Sequence, residues 1–239
     1  MQSKFGFILI KPQLGENIGA CARSMKNFGF EKLRIVSPKF LFPNHKTKVT
    51  SVGAYDIIKK TKIIENTEEA VNEFDIVISF SARIRDVNKK NISIFEFLKI
   101  LSKRRKNNIG LMFGPEASGL SNKDLALSNY ILQIPTSKKF KSLNLSHSVT
   151  IICYEIFNFL NKNTRAQKVK KVKISSKFKV SKLVKHLINL LQKKDFFVPE
   201  EKKQAMLLNI HNLIYRLEPN DKELRILASI ISALNKKNG

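Results

Sequence analysis

The stretch FGFILIKPQLGENIGACARSMKNFGFEKLRIV, residues 5–36, decides the fold class. It begins with a short apolar run, Phe5 to Lys11, that is rich in β-forming residues, and it ends with a second such run, Leu33 to Val36. Between the two runs apolar residues recur at helical spacing, and Gly29 is suited to end that helix. A strand, a helix and a second strand, both strands apolar without alternation, are typical of a parallel sheet.

Three further strands are predicted downstream, each ending at a polar or glycine- and proline-containing loop. They are Phe74–Phe80, Ile109–Phe113 and Tyr130–Ile134, and a long, mostly apolar helix is predicted from Leu143 to Leu160. Because helices alternate with these strands, we predict an α/β fold with a mostly parallel sheet and helices on both of its faces.

The charge of the chain is strongly positive. Lysine and arginine number 44 against 19 aspartates and glutamates, a formal net charge of +25, and 43% of the residues are hydrophobic. The hydrophobic content excludes a chain that is disordered throughout. An excess of this size indicates an anionic partner, with nucleic acid as the first candidate, although compositional drift in an A/T-rich genome can supply part of it.

The C-terminal third carries half of that charge. Residues 161–239 contain 19 basic and 6 acidic residues, and the run from Lys162 to Lys185 contains no acidic residue. We predict a main α/β domain at 1–161, a flexible basic linker at 162–180 and a helical extension at 181–239. The alternative for the basic run is an exposed helix face that only improves solubility. The extension is predicted to contain three short amphipathic helices. They bury little surface alone, so they should pack on the main domain or on another subunit.

Several classes of protein are not expected. No stretch reaches the roughly 18 apolar residues of a membrane span, and no secretory signal follows the N-terminus, which favours a cytoplasmic protein. The two cysteines and four histidines lack metal-ligand spacing, so no metal is expected. Neither a dinucleotide fingerprint nor a P-loop is present.

Three loops that follow predicted strands are rich in small or polar residues: 80–83, 114–119 and 135–144. In an open α/β sheet the ligand binds outside the carboxyl ends of the strands, so these loops are the candidate small-molecule site. From the residues alone, the chain is a basic α/β protein that binds a small molecule and a polyanion.

Five polar residues stand in positions suited to chemistry: Asn17, Arg23, Glu116, Ser142 and Asn144. Each also has an ordinary interpretation. Arg23 fits the surface of an amphipathic helix, and Glu116 fits a solvated or capping carboxylate in a turn. Ser142 and Asn144 fit the cap of the helix that follows.

The motifs that contain these residues resemble those of a known family. PQLGENIGACARSMKNFGFEKLRIVSP (12–38), LMFGPEASGLSNKDL (111–125) and ILQIPTSKKFKSLNLSHSVTIICYEI (131–156) resemble the three motifs of the SPOUT superfamily RNA 2′-O-methyltransferases of the TrmH family. The tail HNLIYRLEPNDKELRILASIISAL (211–234) resembles the C-terminal segment of the TrmJ-type branch, which methylates tRNA cytidine or uridine at position 32, the opening of the anticodon loop.

This resemblance implies a trefoil knot in the last part of the sheet, a homodimer, and S-adenosyl-L-methionine as the methyl donor. It also implies eight cofactor-binding residues, which contact the cofactor mainly through backbone groups. They are Phe80, Ser81, Ala82, Gly114, Ile134, Lys141, Ser142 and Leu143.

The five polar residues match the catalytic and substrate-binding positions of the family. In the family the arginine that corresponds to Arg23 is proposed as the general base. Guanidinium groups are poor proton acceptors, so the alternative is that Arg23 holds a phosphate while Ser142, Asn144 or water relays the proton. Alternative functions are methylation of rRNA or another tRNA position, and a catalytically silent RNA-binding or ribosome-assembly protein.

Overall fold

The structure, a computed structural model, describes residues 2–82, 88–162 and 173–235. The described residues form a seven-stranded sheet in the order β3-β2-β1-β6-β4-β7-β5, and every pairing is parallel. The strands are β1 (Phe5–Ile10), β2 (Lys32–Val36), β3 (Lys62–Ile64), β4 (Ile76–Phe80), β5 (Lys90–Ile92), β6 (Ile109–Phe113) and β7 (Tyr130–Leu132).

Helices cover both faces of this sheet, as predicted. The helices are α1 (Gly15–Asn27), α2 (His45–Thr50), α3 (Tyr55–Lys60), α4 (Thr67–Val71), α5 (Ile94–Lys103), α6 (Asn122–Ala126), α7 (Leu145–Lys162), α8 (Lys177–Gln192), α9 (Lys203–Arg216) and α10 (Asp221–Asn235). One core cluster joins one face of the sheet to α1, α3, α5 and α7, and a second joins the other face to α4 and α6.

The five predicted strands are all present, and the mostly parallel sheet is confirmed. The sequence did not predict β3 and β5, the two edge strands. Each has three residues, of which two are exposed, so neither shows an apolar run. β6 lies between β1 and β4, and β4 pairs with β6 and β7 but with neither β1 nor β2. The carboxyl ends of β4, β6 and β7 therefore lie side by side.

The C-terminal helices pack on the main domain, one of the two expected arrangements. The Lys177 backbone N–H donates to the Phe74 carbonyl oxygen at 2.9 Å, and Asn129 Nδ2 donates to the Tyr215 carbonyl oxygen at 3.0 Å. Arg104 pairs with Glu218 at 3.2 Å. These contacts join the main domain to α8, to α9 and to the turn after α9.

The predicted linker is too long at its C-terminal end. Residues 177–180 form the first turn of α8, and Lys177 and Val180 are buried. The prediction assumed that a lysine-rich run cannot enter a core, but apolar residues between the lysines supply a buried face. Residues 163–172 of the predicted linker lie outside the described residues.

Two buried lysines meet at this junction. The Lys177 Nζ lies 4.7 Å from the centroid of the Tyr215 ring and the Lys89 Nζ lies 5.9 Å from it. Lys89 also donates to the carbonyl oxygens of Ala126 and Ser128 at 3.0 and 2.8 Å. Burial, together with the nearby charge of Lys89, lowers the pKa of Lys177 to about 7.

Replacing Lys177 by methionine is expected to stabilise the protein by about 2 kcal/mol at pH 7, because a buried ammonium is replaced by an apolar chain of similar length. The unfolded chain binds the Lys177 proton up to a pKa near 10.4, whereas the folded chain loses it near 7, so wild-type stability should rise as pH rises from 7 to 10. The variant should lack that part of the rise. Urea unfolding at pH 7 and pH 9 measures both effects.

The matched control is Lys182→Met, an exposed lysine on the same helix. Its Nζ lies 4.5 Å from the centroid of the exposed Phe178 ring, so its loss should cost less than about 1 kcal/mol and leave the pH dependence unchanged. A Lys177→Met variant that is less stable than wild type at both pH values would show that the ammonium contact with Tyr215 outweighs the cost of burial.

Candidate active site

A cavity of about 260 Å³ lies at the carboxyl ends of β4, β6 and β7. Its walls are the three loops predicted as the small-molecule site, and the ring of Phe80 stacks on Phe113 at its base with centroids 4.4 Å apart. The residues expected to bind a cofactor all line this one cavity: Phe80, Ser81, Ala82, Gly114, Ile134, Lys141, Ser142 and Leu143. Arg83, at the end of the first loop, lies outside the described residues.

Hydrogen bonds and a close backbone approach fix the first two of these loops. The Ser81 N–H donates to the Leu132 carbonyl oxygen at 3.2 Å, and Gln133 Nε2 donates to the Ala82 carbonyl oxygen at 3.0 Å. In the second loop, a Cβ on Gly114 would lie 2.3 Å from the Leu120 nitrogen. Gly114 thus lets the 114–119 loop fold tightly against itself at the cavity wall.

Three of the five predicted catalytic residues form a hydrogen-bonded chain beside the cavity. Asn17 Nδ2, in the first turn of α1, donates to Glu116 Oε1 at 2.8 Å, and Asn144 Nδ2 donates to Asn17 Oδ1 at 3.0 Å. Residues from three separate segments of the chain are therefore fixed relative to one another. Glu116 is the acceptor in this chain and is only partly buried.

Gln13 completes the cluster, and the sequence did not single it out. Its backbone N–H donates to Glu116 Oε2 at 2.9 Å, and its Oε1 accepts from the Ala117 N–H at 3.2 Å. Both oxygens of the carboxylate are thus engaged, and the loop after β1 is joined to the loop after β6. Gln13 lies inside the first motif, but a glutamine in a loop carries no spacing signal that would single it out.

Asn144 also caps α7, as its ordinary interpretation predicted. Its Oδ1 accepts from the Ser146 N–H at 2.8 Å and from Ser146 Oγ at 2.7 Å. Both ends of the Asn144 amide are therefore occupied by protein partners. Ser142 lines the cavity, and its hydroxyl makes no hydrogen bond with any residue that the structure describes.

Arg23 lies apart from the other four. It is exposed on α1, six residues or about 9 Å along the helix from Asn17, and it makes no ion pair or hydrogen bond within the described ranges. This agrees with its interpretation as a surface arginine, and it also leaves the guanidinium available to an anion.

The two cysteines do not supply a nucleophile. Cys21 and Cys153 are free and buried, and burial raises the pKa of both thiols. Across residues 2–82, 88–162 and 173–235, no group of three or more histidine, cysteine, aspartate or glutamate side chains is arranged to hold a metal ion. None of the helices described is long and apolar enough to span a membrane.

Comparison with known families decides the assignment of this site. Residues 4–154 match the model of the SpoU rRNA Methylase family, which is more than half of the chain and contains every residue of the cavity and of the polar cluster. The chain belongs to the SpoU rRNA Methylase family. The resemblance stated on the three motifs is thereby confirmed.

Similarity within the SpoU family extends beyond the matched domain. The chain is 36% identical over 233 residues to the tRNA (cytidine-2′-O-)-methyltransferase TrmJ of Methanocaldococcus jannaschii, covering 93% of this chain and 96% of the relative. It is 28% identical to the tRNA (cytidine/uridine-2′-O-)-methyltransferase TrmJ of Photorhabdus laumondii, covering 99% and 98%. The crystal structure of TrmJ from Z. mobilis ZM4 superposes with a TM-score of 0.87 at 29% identity, covering 97% of this chain and 99% of that one. The C-terminal helices are therefore part of the shared architecture.

Proposed function

We propose that the protein transfers a methyl group from S-adenosyl-L-methionine to a ribose 2′-hydroxyl of tRNA, at the cytidine or uridine that opens the anticodon loop. The observation that carries this proposal is the similarity to TrmJ enzymes over nearly the whole chain, the C-terminal helices included. The net charge of +25 supports a polyanionic substrate.

The cavity fits the proposed cofactor. Its volume of about 260 Å³ is close to the lower end of small-molecule sites, about 300 Å³. Because Gly114 has no side chain, backbone groups of the 114–119 loop lie within reach of a bound cofactor. The stacked rings of Phe80 and Phe113 offer it an apolar surface. The residues that would hold S-adenosyl-L-methionine are the eight cavity residues named above. When bound, it supplies an electrophilic methyl group on a sulfonium.

The methyl transfer makes an oxygen–carbon bond and breaks a carbon–sulfur bond, and the ribose hydroxyl loses its proton. Because a hydroxyl is a weak nucleophile, its orientation and the destination of that proton decide the rate. Asn144 has both ends of its amide occupied, so it positions the loop at 142–144 rather than relaying the proton. Ser142, in the cavity wall, is the side chain through which a proton can pass to water.

Arg23 is proposed to hold a substrate phosphate. A guanidinium pairs with phosphate through two parallel hydrogen bonds, which fixes the orientation of the attached ribose. The side chain is exposed and has no partner among the residues that the structure describes, as such a role requires. This assignment takes the phosphate-binding alternative over the general base.

The finer features of the family complete the proposal: a trefoil knot at the end of the sheet, a cytoplasmic location and a homodimer. The loops at 114–119 and 135–144 share one cavity wall, as a knotted chain end would require. Half-exposed Tyr154 on α7 contacts Phe28 beside α1, which leaves an aromatic face suited to a second copy.

Calorimetric titration with S-adenosyl-L-methionine, followed by mass mapping of tRNA nucleosides from a strain lacking the protein, tests the proposal. We expect cofactor binding, and the loss of one 2′-O-methylated pyrimidine at the opening of the anticodon loop. Cofactor binding with an unchanged tRNA profile and a lost rRNA methyl group would identify an rRNA methyltransferase. Retained RNA binding without cofactor binding would identify the silent RNA-binding protein.

A further inference from the structure

The loop between β7 and α7 contains a tight turn. Ser137 and Phe140 form an antiparallel bridge, and the Phe140 N–H donates to the Ser137 carbonyl oxygen at 3.2 Å. Thr136 Oγ1 donates to the Lys141 carbonyl oxygen at 3.4 Å. The conformation of residues 137–140 is therefore set by contacts within the loop itself.

This turn presents the Phe140 ring to solvent. The side chain is 77% exposed and belongs to none of the three core clusters, although most described phenylalanines of the chain are at least partly buried. The ring therefore adds little to the stability of the fold. An isolated exposed apolar residue is ordinary on a protein surface, so the position and the surroundings of the ring must decide its meaning.

Both point to RNA. The next three residues along the chain, Lys141, Ser142 and Leu143, line the cavity, so Phe140 stands at its rim. Lys138, Lys139 and Lys141 flank the ring and are exposed, and no acidic residue occurs between Asp124 and Glu155. An aromatic ring among cations, beside a site for a ribose, is the arrangement by which proteins bind unpaired bases and their phosphates.

We infer that Phe140 stacks on an unpaired base of the RNA substrate and that the three lysines hold the adjoining phosphates. A phenyl ring has no hydrogen-bonding atom, so the stacking is independent of base identity and accepts cytidine and uridine equally. The inference rests on the proposed function, because it assigns a contact with the substrate of that reaction.

Two RNA probes with equal charge isolate the stacking. They are an eight-nucleotide oligouridylate and an abasic oligomer of the same length, so that phosphate contacts cancel in the ratio of their Kd values. Wild type is expected to bind the oligouridylate about tenfold more tightly than the abasic strand. Phe140→Ala should bring that ratio close to one, whereas Phe140→Tyr should retain it.

The matched control is Phe95→Ala, which removes an equally exposed ring, 76%, from α5. It should leave the ratio unchanged. The affinity for S-adenosyl-L-methionine should be the same in all four proteins. A wild-type ratio of one, a Phe140→Ala ratio equal to that of wild type, or an equal weakening of both probes would overturn the inference. So would a change of oligomeric state in Phe140→Ala, which would identify the ring as a subunit contact.

A methylation assay on tRNA, run beside the binding assay, distinguishes failure of the proposed function from failure of the stacking. If wild type methylates no tRNA but discriminates the two probes through Phe140, the proposed reaction is wrong and the stacking is supported. If wild type methylates tRNA but the ratio of the two Kd values does not depend on Phe140, the proposed reaction is supported and the stacking is wrong.

Discussion

Replacing Arg23 by alanine is expected to lower kcat/KM for tRNA by at least about a hundredfold, because a misplaced ribose loses the orientation on which attack depends. The Kd for S-adenosyl-L-methionine should not change, since Arg23 is not among the cavity residues. The melting temperature should not change either, since the side chain has no partner within the described ranges. Steady-state kinetics, calorimetry and thermal unfolding measure the three quantities.

Arg23→Lys keeps the charge but loses the paired hydrogen bonds, so an intermediate loss of about tenfold is expected for a phosphate-binding role. Lys32→Ala is the control for charge alone, because Lys32 is exposed at the amino end of β2, whereas the cavity lies at the carboxyl ends of the strands. A phosphate-binding role predicts a raised KM for tRNA together with a lowered kcat. If kcat fell with KM unchanged and the pH–rate profile shifted, Arg23 would act on the proton instead.

Gly114→Ala should raise the Kd for S-adenosyl-L-methionine about a hundredfold, since overpacking against neighbouring atoms costs about 3 kcal/mol. The added methyl group would lie 2.3 Å from the Leu120 nitrogen and 2.5 Å from the Gly119 carbonyl carbon, and both belong to backbone that cannot rotate away. The 114–119 loop would have to open, and the cavity wall would move with it. Calorimetric titration measures the effect.

Gly53→Ala is the matched control for this substitution. Gly53 has a φ of +74°, so an alanine there is strained, but nothing lies within 4 Å of the added Cβ and the position is far from the cavity in the chain. Gly53→Ala should therefore lower the melting temperature and leave the Kd for the cofactor unchanged. An unchanged Kd in Gly114→Ala would show that the cofactor binds elsewhere.

Much of the fold could be predicted from apolar runs and the helices between them. The five strands with continuous apolar character were found because burial on both faces leaves no polar alternation. β3 and β5 were missed because three residues at a sheet edge need little apolar character. The first turn of α8 was assigned to a linker because the charge of Lys177 outweighed its apolar neighbours in the pattern.

The candidate site was predicted in part. The three loops could be located because ligands gather at the carboxyl ends of parallel strands. Which side chains meet was not predictable. Asn17 is 99 residues from Glu116 and 127 residues from Asn144, and only the strand order brings them together. Gln13 was missed for the same reason, since its partners lie more than a hundred residues away.

The place of β6 in the sheet has a consequence for synthesis on the ribosome. β4 has no partner among the strands made before it, and β1 has only β2, until residues 109–113 have been translated and have entered between them. Between the synthesis of residue 80 and that of residue 113, two apolar strands thus expose unpaired edges, which are sites of wrong pairing between chains. The nascent protein is therefore most prone to aggregation during this interval, and translation speed and chaperone occupancy over it should affect the yield of folded protein.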